Sequence, residues 1–172
     1  MILSGTEEQN TFGYNQITME LQSELKLHGK FKLTLRDLEG NIVKIQEVDN
    51  LVTTVGKEVF ARLLEGDTTY SGLINYLAVG TGLSSPSIGD TTLQTEIERT
   101  TAQTGFPTRA STQVTWEFFF NSTEAIGTLK EVGAFIDGTA AADSGQLFDR
   151  SEIDIEKTSL NSLTVQLVVT VI

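Results

Sequence analysis

The sequence contains no cysteine, so neither a disulfide framework nor a thiolate metal site is available to it. No apolar run reaches the roughly 20 residues that a membrane-spanning helix needs. Basic residues are few as well, 12 against 23 acidic residues, which gives a formal net charge of -11. Because an acidic chain repels nucleic-acid phosphates and anionic lipid, we expect neither nucleic acid nor a membrane as a partner.

The motifs of nucleotide binding and serine catalysis are also missing. The stretch Gly80-Thr81-Gly82 lacks the third glycine of a dinucleotide fingerprint and the Lys-Ser/Thr of a P-loop, and no helix follows it directly. We interpret Gly80 and Gly82 as a structural corner, where glycine permits positive φ and close backbone approach. The single histidine, His28, falls on the polar face of a predicted strand and is expected to be exposed. A serine–histidine hydrolase is therefore not expected.

Carboxylates are the one abundant reactive group. Glu152, Asp154 and Glu156 alternate with two isoleucines, which puts them on one face of a predicted strand. Residues on one face are about 6.6 Å apart, whereas calcium holds its oxygens at about 2.3–2.6 Å. We expect a solvated acidic face and no metal, cofactor or enzymatic activity. Two distant carboxylates acting as in a glycosidase stay an open alternative.

What is present is strand periodicity over the length of one domain. Apolar residues occupy most odd positions from Ile17 to Leu35, and alternation returns at residues 114–120, 132–136, 147–155 and 163–171. Such short strands predict a mainly β protein, an antiparallel β-sandwich with one or two short helices. Because 19 residues are too long for one strand, Gly29 is predicted to separate an extended N-terminal arm, residues 1–28, from the sandwich, residues 29–172.

Local signals place the other elements. Gly40 lies where a hairpin turn wants positive φ, and residues 42–48 supply the return strand. A helix is predicted from Thr54 to Gly66, capped by Thr53 or Thr54. A second one is predicted from Thr91 to Arg99, capped by Asp90, because Leu93 and Ile97 are four residues apart. Residues 74–80 read as a strand that is buried on both faces or covered by the helix, and residues 137–145 as a flexible loop.

Several segments, taken in order, resemble a family of bacteriophage virion structural proteins. They are "GKFKLTLRDLEGNIV", "NLVTTVGKEVFARLLEG", "INYLAVGTG", "GDTTLQTEIERT", "LKEVGAFI", "LFDRSEIDIEKTS" and "LTVQLVVTVI", which together span residues 29–172. The resemblance implies a non-enzymatic β-rich module of phage tails, baseplates or fibre attachment, or of head decoration. It also implies architectural roles for Asn50 and Thr53 at the helix start, Gly80 and Gly82 at the corner, and Gly133 where two layers approach.

We therefore expect a virion protein of the tail, baseplate or neck region, assembled in the bacterial cytoplasm, that binds other virion proteins and forms a homo-oligomer, most simply a trimer. Ile17, Met19, Leu21 and Leu25 are the candidate assembly residues of the arm, whose backbone can add to a neighbour's sheet. The alternatives are a capsid-decorating head cement or fibre protein and a module that binds host glycans. The latter would need exposed aromatic rings, and its candidates are Tyr70, Tyr76 and Phe106.

Overall fold

The computed structural model describes residues 26–172, so the assembly residues predicted in the arm, Ile17, Met19, Leu21 and Leu25, lie outside the described part of the chain. Residues 26–172 form ten β-strands and one α-helix. In chain order the elements are β1 (Leu27–Asp37), β2 (Ile42–Asp49), β3 (Leu51–Val52), α1 (Thr54–Leu64), β4 (Ile74–Gly80), β5 (Glu96–Thr101), β6 (Thr108–Ala110), β7 (Gln113–Phe120), β8 (Gly127–Ile136), β9 (Gln146–Lys157) and β10 (Asn161–Val171).

The strands form two five-stranded sheets. Sheet A has the order β2-β1-β10-β7-β6, and sheet B has the order β3-β9-β8-β4-β5. All the paired strands run antiparallel. The chain passes from sheet A to sheet B at Asn50, between β2 and β3. The predicted antiparallel β-sandwich is confirmed.

Alternating side chains of the two sheets fill one core between them. On β1, Phe31 and Leu35 point inward and are buried, and on β7 the same is true of Trp116, Phe118 and Phe120. The aromatic residues of β7 stand at alternate positions because successive side chains of a strand point to opposite faces. They are core residues, as their spacing predicts.

Gly29 does not divide β1. It pairs with Val169 of β10 in an unbroken ladder that runs from Leu27 to Asp37, so the predicted break at Gly29 is wrong and the first core strand already begins at Leu27. Glycine is required here for space, because a Cβ would overlap the side-chain amide of Asn50. The close approach of the sheet-crossing segment to β1 explains the glycine.

The predicted first helix is present as α1. The Oγ1 atom of Thr53 accepts the N–H of Gly56 at 3.0 Å, and the helix ends just before Gly66, whose φ of +80° only glycine adopts freely. Val59 is buried, but Leu64 is exposed. The helix packs against β9, where Gly56 lies close to the backbone of Phe148, and Leu63 and Leu64 at its end are exposed.

The second predicted helix, Thr91–Arg99 with Asp90 as its cap, is wrong. Leu93 is buried on the outer face of sheet B, while Ile97 lies exposed on β5. The backbone N–H groups that follow Leu93 donate to Glu131 and not to a helix. A tertiary partner for these N–H groups outweighs the weak local preference for helix.

Residues 81–95 instead form a loop that covers sheet B. Leu93 of this loop packs with Ala78, Phe135 and Leu147 in a small second core on the outer face of the sheet. β4 is therefore buried on both faces, as predicted, but a loop covers it and not the helix. The short strands β3 and β6 are too brief for an alternation pattern and were not predicted.

Candidate interaction surface

The corner from Gly80 to Gly82 encloses a carboxylate of the chain itself. Glu131 of β8 is fully buried and accepts the N–H groups of Gly82, Gln94 and Thr95 at 2.8–2.9 Å. A Cβ on either glycine would overlap Glu131 Oε1, so these glycines provide close backbone approach. Neither has a positive φ, so the left-handed backbone predicted for this corner is wrong.

Arg150 of β9 completes this internal site. Its guanidinium, only 2% exposed, donates to Glu131 Oε2 from Nε at 3.1 Å and from Nη2 at 2.8 Å. It also donates to Asp90 Oδ2 at 2.6 Å and to the carbonyl oxygen of Ser84 at 2.9 Å. Arg150 is paired with both acids, Glu131 and Asp90, and the hydrogen-bonding groups are engaged inside the protein. The cluster therefore holds the loop against sheet B and offers no free group to a ligand.

A second buried ion pair holds the loop of residues 137–145. Arg99 and Glu96 of β5 form two parallel hydrogen bonds, at 2.5 and 2.8 Å. Arg99 also donates to the carbonyl oxygens of Thr139 and Ser144, and its guanidinium carbon lies 4.7 Å from the ring centre of Phe135. The loop predicted as flexible by composition is thus attached to β5 at several points.

Gly133 lies beneath the covering loop. A Cβ on Gly133 would come within 3.0 Å of Leu93 Cδ2 and within 2.8 Å of Leu147 Cδ1. Its φ is not in the left-handed region. The glycine therefore serves the tight packing between β8 and the loop that covers the sheet.

A buried acid stands where the chain crosses between the sheets. Asp149 of β9 accepts hydrogen bonds from the Asn50 side-chain amide and, at 3.3 Å, from the N–H of Ala134. Burial raises the pKa of Asp149 well above its ordinary value, and these two hydrogen bonds oppose that shift only in part. The pair ties the sheet crossing to β9, which gives Asn50 a structural role.

The remaining carboxylates do not converge. Glu152, Asp154 and Glu156 are exposed while Ile153 and Ile155 are buried, and Asp154 pairs with a lysine of β8. The ion pair with this lysine, Lys130, lowers the pKa of Asp154. In residues 26–172 no group of three or more histidines or acids is placed to hold a metal ion.

The other sequence candidates lie apart from one another. His28 is exposed on β1, 3.8 Å from Asp49 Oδ1. Tyr70 is half-buried against the main core, and Tyr76 is half-buried beneath Arg99. Phe106 is half-buried as well. All three aromatic candidates are thus partly covered and partly open to solvent.

The feature that the sequence did not reveal is an exposed apolar surface on the hairpin of β1 and β2, the hairpin surface. β2 is one of the two outermost strands of sheet A, the other being β6, and β1 is its one strand neighbour among the described residues. The turn contains Gly40 with φ +87°, as predicted. Large apolar side chains that are 49–63% exposed make up this surface: Leu38, Ile42, Val43, Ile45 and the adjacent Leu160.

A cleft joins the two hairpin turns at this end of the sandwich. It has a volume of about 350 Å³ and lies between the turn after β1 and the turn after β9, with Leu38 and Leu160 on its two sides. Isolated exposed apolar residues are common on proteins, but several that adjoin one free strand edge mark an interaction surface. This is the strongest candidate for a functional site in residues 26–172.

The sequence carries no distinctive signal for the burial of Glu131 and Arg150, because each stands next to another charged residue, in "LKEVGAFI" and "LFDRSEI". The exposure of Ile42 and Ile45 had none either, because alternation does not tell which strand of a sheet is outermost.

Comparison with known proteins gives no relative for this chain: no family model, curated protein or solved structure matches it. The helix of residues 26–172 is too short to span a membrane.

Proposed function

We propose that this protein is a non-enzymatic structural component of a bacteriophage virion that works by assembly with other copies and other virion proteins. The observation that carries the proposal is the hairpin surface, a free strand edge that bears exposed isoleucines. A free edge of this kind is a template for pairing with another chain. The ordered resemblance of residues 29–172 to phage structural proteins supplies the virion context.

The way the chain uses its reactive groups supports an assembly role. Its buried charged side chains, Glu131, Arg150 and Arg99, bind loops to sheet B through internal hydrogen bonds. Charged groups that are hydrogen-bonded within the protein in this way hold its loops rigid. Rigid, closely tied loops suit a module that keeps its shape in a large particle.

The proposal is tested in particles. Virions from the phage or induced prophage whose genome carries this gene should contain the chain in stoichiometric amounts by quantitative mass spectrometry. Labelling with an antibody against the purified protein should decorate intact particles in electron micrographs. Label on the tail or baseplate favours the first assignment, and label on the capsid favours the head-decoration alternative. Absence of the chain from washed particles would contradict a structural role.

A further inference from the structure

We propose that the free edge of β2 receives residues 17–25 from a second copy of this chain, which adds one strand to sheet A. The inference rests on the proposed assembly function and names its partner. It depends on three observations: the open edge of β2, the pattern of residues 17–25, and the position at which β1 begins.

The edge of β2 has the backbone and the side chains for such an addition. In an antiparallel pair every second residue of an outer strand directs its N–H and C=O away from its neighbour. A bulge after Leu35 of β1 leaves β2 in regular register from Lys44 to Asp49. Ile45 lies opposite Thr34, on the outer face of the sheet, where it is 49% exposed.

The edge of β5, one of the two outermost strands of sheet B, is a weaker receptor. The chain continues from it to Ala102, which forms a bridge to Phe118 of β7, so this side of the sandwich is drawn together. The loop of residues 137–145 is also attached to β5 through Arg99. By contrast, β2 contacts β9 through Lys44 and Gln46, which form hydrogen bonds with the backbone of Asp154. These contacts do not cover the isoleucines of β2.

Residues 17–25 have a matching pattern. Ile17, Met19, Leu21 and Leu25 are apolar, and every residue at an even position among them is polar. A strand with this pattern, paired with β2, covers Ile45 with its apolar side chains. Its polar side chains then fall beside Lys44 and Gln46, where acids such as Glu20 or Glu24 find a basic partner.

The position of β1 indicates that the added strand comes from a second copy and not from the same chain. Lys26 already exchanges two backbone hydrogen bonds with Ile172, so the chain joins sheet A between β2 and β10. To reach the free edge of its own β2 it would have to cross two strand spacings, about 10 Å, and turn back. About three of the nine residues would be used in the crossing. A neighbouring copy can take all nine residues, about 30 Å when extended.

The absence of cysteine allows a direct test, because introduced cysteines have no competitors. Full-length Leu21→Cys and Ile45→Cys proteins are purified separately, mixed and oxidised. We expect a disulfide-linked heterodimer on a non-reducing gel, confirmed by peptide mapping. The matched control replaces Ile45→Cys with Ile97→Cys, an isoleucine on the edge of β5 that is 40% exposed. We expect at least a tenfold lower yield from that control.

The oligomeric state gives a second readout. In sedimentation velocity the full chain should form a closed oligomer, Ile45→Lys should shift it to monomer, and Ile97→Lys should leave it unchanged. A charge on an edge strand blocks strand addition without touching the core. If the Ile45→Lys protein does not fold, the cysteine experiment still tests whether residues 17–25 bind the edge of β2.

The inference is overturned if the wild-type chain is monomeric at high micromolar concentration. It is equally overturned if the two cysteine variants link no better than the control pair, or if a protein with both cysteines links only within one chain. These failures differ from failure of the proposed function. If the chain is found in particles but residues 21 and 45 do not link, the proposed virion role stands and the proposed contact is wrong.

Discussion

The two sheets differ in what covers their outer surfaces. On sheet B the loop of residues 81–95 covers the strands, and the face carries buried ions such as Glu131 and Arg150. On sheet A the edge strand β2 carries isoleucines that reach solvent. A loop covers buried charges on the outer face of sheet B, whereas the edge strand β2 of sheet A leaves Ile42 and Ile45 exposed.

The buried ions of sheet B and the exposed isoleucines of sheet A contribute differently to stability. A buried ion pair adds little net stability because its charges lose their hydration, but removing one partner is strongly destabilising because the other charge is left without compensation. An exposed isoleucine contributes almost nothing to the stability of the single chain. We infer that sheet B maintains the shape of the protein and that the edge of sheet A makes its contacts.

The largest effect is expected for Glu131→Ala. The change leaves the Arg150 guanidinium buried without its main counter-charge and removes the acceptor of three backbone N–H groups. We expect the free energy of unfolding to fall by about 3–5 kcal/mol in urea titrations. Glu152→Ala is the control, since Glu152 lies opposite Glu131 in the ladder but is exposed. Similar losses in both variants would contradict the distinction between covered and open positions.

A smaller loss is expected for Gly82→Ala. The new Cβ would overlap Glu131 Oε1 and the Gln94 side chain, so the cradle has to open. We expect a loss of about 1–3 kcal/mol in the free energy of unfolding. Gly89→Ala, in the same loop, is the matched control, because the nearest atom to its Cβ would be 4.0 Å away. No difference between the two would show that the corner can widen without cost.

The buried acid Asp149 should make stability depend on pH. Its pKa is raised in the folded protein, so the folded state binds more protons than the unfolded state in the window above the unfolded pKa of 3.8. The stabilisation is present below that pH and is lost as the pH rises through the folded pKa. The slope should approach about 1.4 kcal/mol per pH unit.

Asp149→Asn is the variant that isolates this effect, because the amide keeps an acceptor for Asn50 and does not titrate. We expect the difference in unfolding free energy between the wild type and Asp149→Asn to change with pH above 3.8, in favour of the variant as the pH rises. Parallel curves from pH 4 to 8 would show that Asp149 has an ordinary pKa.

The smallest effect on stability is expected on the open side. Ile45→Lys should change the free energy of unfolding of the monomer by no more than about 0.5 kcal/mol, measured at the lowest practical protein concentration. The residue is half exposed and its backbone pairing with β1 is unaffected. A loss above about 2 kcal/mol would place Ile45 in the core and remove the contrast between the two sides.

Alternation predicted most of the longer strands, since a period of two residues is set by backbone geometry. The break at Gly29, predicted from the length of the run, is wrong because Asn50, a residue from another segment, requires the glycine. The helix at residues 91–99, predicted from the spacing of Leu93 and Ile97, is wrong because Glu131 takes the backbone N–H groups that a helix would use. In both places a partner distant in the chain decided the local structure.

The sequence by itself determined the class of fold, the helix that starts at Thr53 or Thr54 and the hairpin turn at Gly40, because each depends on residues that are neighbours in the chain. The tertiary structure alone decided that Glu131 is enclosed by glycines and that Ile45 is open to solvent. Burial depends on which strand is outermost and which loop lies over a face, and both follow from contacts between residues far apart in the chain.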